Sequence, residues 1–133
     1  MFMKNAWYIA AMADEVGRSL LQRWILDEPV VLYRTEDGKP VALRDVCPHR
    51  SLPLSMGELL GDQLRCGYHG LVFAPDGRCT RIPAQAHVPP TWCVPSYKVV
   101  EKWRWSINTQ RRCSRSSCYR NARSPRCQHI KNF

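Results

Sequence analysis

Cys47-Pro48-His49-Arg50 and, after fifteen intervening residues, Cys66-Gly67-Tyr68-His69-Gly70 decide how this 133-residue chain is read. Each cluster supplies one thiolate and one imidazole, so together they make a four-donor metal site divided between two loops. A structural zinc site of the Cys2His2 kind groups its cysteines and then its histidines. Here the order is Cys-x-His followed by Cys-x2-His. That order suits two metal ions better than one, because each short loop can aim its sulfur at one ion and its imidazole at the other.

Outward from the clusters the pattern is that of β-strands. Residues 41–44 lead into the first cluster and pair across the turn Thr35-Glu36-Asp37-Gly38 with the β-branched and aromatic run 30–34. Residues 63–66 feed the second cluster, 71–73 leave it, and Pro75-Asp76-Gly77 turns the chain into 79–82. Both clusters are therefore expected at loop tips between strands, where a rigid scaffold presents ligands. Further strands are expected at 7–11, 23–26, 96–100 and 103–107. Pro83 and Pro89-Pro90 mark an irregular crossing, and short helices are expected near 14–17 or 54–60.

The two clusters in this spacing resemble the signature of Rieske proteins, in which two histidines replace two cysteines on one iron of a [2Fe–2S] cluster. Cys47-Pro48-His49-Arg50 with Gly67-Tyr68-His69-Gly70 is similar to the form found in Rieske non-haem iron oxygenases. The opening Lys4-Asn5-Ala6-Trp7-Tyr8-Ile9-Ala10-Ala11 and Ile25-Leu26-Asp27-Glu28-Pro29-Val30-Val31-Leu32-Tyr33-Arg34 resemble the N-terminal part of vanillate O-demethylase oxygenase subunits and related aromatic O-demethylases. The resemblance runs from Met1 to about Trp105. It implies an all-β fold, a Rieske-type antiparallel sandwich with two cluster-binding loops over residues 1–105; the residues beyond, 106–133, are expected from their composition to form a basic disordered tail. It also implies a catalytic domain that this chain lacks, holding a mononuclear Fe(II).

By the same resemblance Cys47 and Cys66 bind one iron as thiolates and His49 and His69 bind the other. Imidazole ligands leave the cluster less negative than four thiolates would, so its potential lies above that of plant-type ferredoxins, and the imidazole edges couple protons to redox state. Pro48, Arg50, Gly67, Tyr68 and Gly70 are the expected surrounding residues. The glycines and Pro48 serve either turn geometry or close approach of N–H groups to sulfur, Tyr68 donates a hydroxyl near a cysteine, and Arg50 shields the site or is simply solvated. The high-potential Rieske class joins its loops by a disulfide, but Leu52 and Gly67 lie near the places of those cysteines here. The implied partners are a flavin/[2Fe–2S] reductase and the catalytic domain or neighbouring subunits of an oxygenase trimer.

Composition narrows the alternatives. The formal charge of +9 is uneven: residues 1–105 hold 13 Lys/Arg against 11 Asp/Glu, whereas 106–133 hold seven basic residues and no acidic one. A nearly neutral domain thus precedes a basic segment, which weakens a nucleic-acid reading of the domain itself. The segment has neither strand nor helix periodicity. It reads either as a basic arm or, as the mid-pattern loss of the strand favours, as a frame-shifted or truncated product. Seven cysteines are an odd number for a full disulfide framework, so Cys79 and Cys93 are expected as thiols in a reducing cytosol. The apolar run 6–13 is short for a signal peptide, and no run reaches the roughly 20 residues that span a bilayer, so a cytoplasmic location is expected.

Only His87 and His129 remain after the clusters take their two histidines, too few for a two-histidine, one-carboxylate iron site alongside them. No catalytic residue is assigned, and electron transfer is the expected role. A stand-alone Rieske ferredoxin is the first alternative, and a Cys2His2 zinc module with a nucleic-acid-binding tail is the second. The five tryptophans are expected in the core or in subunit contacts.

Overall fold

The computed structural model describes residue 3 and residues 5–112. Among these the chain is all β apart from two short 3-10 turns. The strands are β1 (Trp7–Met12), β2 (Leu21–Ile25), β3 (Glu28–Arg34), β4 (Pro40–Arg44), β5 (Glu58–Leu60), β6 (Gln63–Arg65), β7 (Val72–Phe73), β8 (Cys79–Arg81), β9 (Ser96–Glu101) and β10 (Arg104–Arg112). They form an antiparallel six-stranded sheet in the order β1-β10-β9-β4-β3-β2 and a second sheet in the order β5-β6-β7-β8. The tail expected to be disordered lies, from residue 113 on, outside the described residues.

β3 shows why two layers are needed. Its apolar run has period-two alternation with both faces buried, as a strand covered on two sides must have. Val31 and Tyr33, with Val41 and Leu43 of β4, join the core shared with the second sheet, which includes Leu64, Phe73 and Val94. Val30 and Leu32 face the other way, into a core with Ala42, Tyr97, Trp105 and Ile107. The first of these cores also contains Cys47 and Cys66. The metal loops therefore grow directly out of the packed interior.

Four expectations change. The strand expected at 23–26 ends at Ile25, because Leu26 and Asp27 both take positive φ, 52° and 60°, in a two-residue hairpin turn. The helix expected near 54–60 is a 3-10 turn at Leu54–Met56 followed by β5, which pairs with β6 across Gly61 and Asp62. The other short helix is the 3-10 turn Ala13–Glu15, with the Met12 N–H donating to the Glu15 carboxylate at 2.7 Å. Lastly, β10 continues past the expected boundary at 105 to Arg112, paired with β1 at Trp7↔Asn108 and with β9 at Arg112↔Ser96. Up to Asn108 it is paired on both edges, and beyond that the Arg112↔Ser96 pair continues the ladder with β9 alone; such pairing needs no apolar side chains.

Candidate metal centre

The first loop leaves β4 and the second joins β6 to β7, so each is a tip held by strands on a shared core. The two are built alike. The Cys47 N–H donates to the Leu52 carbonyl at 2.8 Å, and the Cys66 N–H donates to the Leu71 carbonyl at 2.7 Å. Each closure therefore spans five residues beyond its cysteine. Four residues beyond it the backbone is left-handed in both loops, at Ser51 (φ 58°) and at Gly70 (φ 74°). Each sulfur also accepts from the backbone N–H groups two and three residues on, those of His49 and Arg50 at Cys47 and those of Tyr68 and His69 at Cys66.

These frames gather the four donors into two pairs. Cys47 and Cys66 are each 2% exposed, and the Cys47 thiol donates to the Cys66 sulfur. That bond, helped by the Tyr68 and His69 amides, holds the Cys66 thiol down at about 6 against burial. Cys47, as the donor and buried, is pushed strongly up. The imidazoles lie at the surface, with His49 Nδ1 and His69 Nδ1 2.8 Å apart and ring centroids 4.3 Å apart, edge to face. Partial burial and then the charge of His49 lower the basicity of His69. Among the described residues no three or more Cys, His, Asp and Glu side chains group about a single ion position. A sulfur pair beneath a nitrogen pair is the donor chemistry of a binuclear cluster with unlike ends.

The surrounding residues divide by what they touch. Pro48 follows the first sulfur ligand inside the closed loop, and Arg50 contributes its N–H to that sulfur. Gly67 lies under the preceding 3-10 turn, where a Cβ would come within 2.9 Å of the Met56 carbonyl. Gly70 supplies the left-handed turn, while Gly67 is held by close packing against the 3-10 turn rather than by an N–H on the sulfur, which accepts from Tyr68 and His69. Tyr68 gives Cys66 its backbone N–H, and its exposed ring packs on His69 with centroids 3.9 Å apart. An open cleft of about 450 Å³ runs beside the second loop, lined by Met56, Leu60, Arg65, Tyr68, Arg81 and Pro83.

Two contributors escaped the sequence reading. Trp92 is buried and tilted against His49, with centroids 6.1 Å apart. Asp45, only 1% exposed, anchors the root of the first loop. Asp-Val before the first cysteine does stand in the sequence, but nothing there announces that the Asp45 carboxylate meets Gln22 and Ser55. Of the remaining tryptophans, Trp105 is fully buried whereas Trp7, Trp24 and Trp103 are exposed. Cys79 is a buried thiol as expected, whereas Cys93, also expected as a thiol, is disulfide-bonded instead. His87 is exposed, and His129 lies outside the described residues. Among the described residues no helix is long and apolar enough to cross a membrane.

Two interlocked antiparallel sheets that present paired sulfurs and paired imidazoles on two loops define a Rieske-type domain. The family model described as "Rieske [2Fe-2S] domain" matches residues 6–98, and the chain belongs to that family, whose cofactor is the [2Fe–2S] cluster. The chain is 48% identical over 110 residues to the toluene-4-sulfonate monooxygenase system iron-sulfur subunit TsaM1 of Comamonas testosteroni, covering 79% of this chain and 32% of that one. It is 42% identical over 109 residues to the vanillate O-demethylase oxygenase subunit of Pseudomonas sp. (strain HR199 / DSM 7063), covering 79% and 30%. Among solved structures, dicamba monooxygenase superposes with a TM-score of 0.76 at 44% identity, over 80% of this chain and 34% of that chain. These relatives place it among the Rieske domains of oxygenases, and it spans about a third of the length of each.

Proposed function

We propose that Cys47, Cys66, His49 and His69 hold the cluster, the two thiolates on one iron and the two imidazoles on the other. We further propose that the domain relays single electrons from a flavin/[2Fe–2S] reductase to a mononuclear iron in an oxygenase catalytic domain or a neighbouring subunit. A bound cluster of this kind supplies one-electron redox chemistry. The observation that carries this reading is the segregation of the donors, with the sulfurs paired in the core and the two Nδ1 atoms 2.8 Å apart at the surface.

Each residue then has a definite task. The buried thiolates keep water from the sulfur end, and the N–H groups of His49, Arg50, Tyr68 and His69 spread the negative charge there. The imidazoles, with Tyr68 stacked on His69, form the exposed end at which a redox partner comes close. Two relatives carry O-demethylase in their names, the vanillate subunit and the dicamba O-demethylase oxygenase component of Stenotrophomonas maltophilia. That supports removal of a methyl group from an aromatic ether as the reaction of the whole system.

The test is anaerobic purification with iron and sulfide analysis, followed by low-temperature EPR before and after dithionite. We expect two irons and two acid-labile sulfides per chain and a reduced Rieske signal, with His49→Ala and His69→Ala each abolishing it. A colourless protein carrying one zinc would replace this reading with the zinc-module alternative.

A further inference from the structure

Asp45 is buried, charged and two residues ahead of the first ligand, yet every group that donates to it is neutral. Its Oδ1 accepts from the Ser55 N–H at 2.6 Å, and its Oδ2 accepts from the Ser55 hydroxyl at 2.6 Å and from Gln22 Nε2 at 2.5 Å. Its own N–H donates to the Pro29 carbonyl at 2.9 Å. One residue thereby ties together the end of β4, the edge strand β2, the start of β3 and the 3-10 turn Leu54–Met56. That turn lies between the two metal loops in the chain, and its Met56 carbonyl lies against Gly67, the residue after Cys66. From Asp45 through Ser55 to Met56 and Gly67, the root of one loop is connected to the other.

A carboxylate buried to this degree needs strong donors, and three of them here point at it. A neutral amide offers one acceptor oxygen where the carboxylate offers two, and an apolar side chain offers none, so only the carboxylate accepts from all three as they stand. The retained charge also acts over a distance: in a poorly solvated interior it is weakly screened, and it opposes the addition of an electron nearby.

We propose that Asp45 is a positioning residue for the cluster. It sets the spacing of the two metal loops through Ser55, and its fixed negative charge lowers the cluster's reduction potential. This rests on the reading that the four ligands hold a Rieske cluster. Asp45→Asn keeps the shape and one acceptor oxygen for the Ser55 N–H while removing the charge, and its NH2 is met by turning the Ser55 hydroxyl and the Gln22 amide to accept. Ser55→Ala and Gln22→Ala do the reverse, leaving the charge and removing one donor dipole that partly cancels it.

The experiment is an EPR-monitored redox titration of the full chain and these three variants, with iron content measured on each. Asp45→Asn is expected to load the cluster and shift the midpoint positive, raising the reduced-to-oxidised ratio at a fixed potential by up to about tenfold, equivalent to about 59 mV for one electron. Ser55→Ala and Gln22→Ala are expected to shift it the opposite way by a smaller factor. A loaded Asp45→Asn with an unmoved midpoint overturns the proposal and leaves the Rieske assignment standing. Should Asp45→Asn fail to load, the other two variants decide, and unmoved midpoints in both overturn it. A wild-type chain without the Rieske signal removes the underlying assignment instead.

Discussion

The two metal loops share one frame and fill it differently. Closure at the fifth residue, a left-handed fourth residue and two N–H groups on the sulfur recur in both. The histidine, however, stands two residues after Cys47 and three after Cys66, and the residue after the cysteine is proline in one and glycine in the other. The frame is thus set by the cysteine and the backbone. The imidazole can occupy either of the two interior positions and still bring its Nδ1 to 2.8 Å from its partner. The loops also differ in support, since a buried tryptophan backs His49 and an exposed tyrosine covers His69.

The sharpest contrast in support is between those two rings. Trp92→Ala removes a side chain that is only 8% exposed and is expected to cost about 3–5 kcal/mol, read from urea unfolding of the purified chain. Tyr68→Ala removes a ring that is 60% exposed and should cost well under half of that. Similar losses would show that both loops lean equally on their aromatic neighbour. The next effect belongs to the second loop alone. A Cβ at Gly57 would meet the Arg65 carbonyl at 1.9 Å, a backbone contact that cannot swing aside. Gly57→Ala is expected to cost about 1–3 kcal/mol and to lower iron content, because β6 and Cys66 must move with Arg65. Full iron loading with unchanged unfolding would detach the 3-10 turn from the second loop.

How far the sequence shows this molecule depends on the distance over which each feature is determined. Residues 30–34 and 41–44 read as strands because their own side chains alternate into two cores. The cluster loops read as metal sites because donor type and spacing are local. The Leu26-Asp27 turn carries no Asn-Gly or Asp-Gly signal, and its positive φ values are imposed by the pairing of Ile25 with Glu28. β5 was hidden because a three-residue strand has too few positions for a period. The Asp45 anchor and the Trp92 contact join residues that only the folded sheets bring together. The metal site's donors were therefore legible, whereas the groups that hold them in place were not.

The smallest effects compare the one position at which the loops can be exchanged. Gly70 and Ser51 occupy the same left-handed place, so the frame alone cannot explain why only one of them is glycine. A side chain at Gly70 meets Pro83 Cγ at 3.1 Å in addition to the backbone penalty, and Gly70→Ser is expected to destabilise by about 1–2 kcal/mol. Ser51 is exposed and already bears that penalty. Ser51→Gly relieves it but gives the unfolded chain more freedom, which offsets about 0.4–1 kcal/mol. The net expectation is a stabilisation of under about 1 kcal/mol, with the Ser51 N–H bond to the Cys47 carbonyl retained. Opposite signs for the two substitutions in paired urea melts would establish that the loops are one backbone frame used twice. Destabilisation by Ser51→Gly would show instead that the first loop depends on the serine side chain, and that the likeness ends at the backbone.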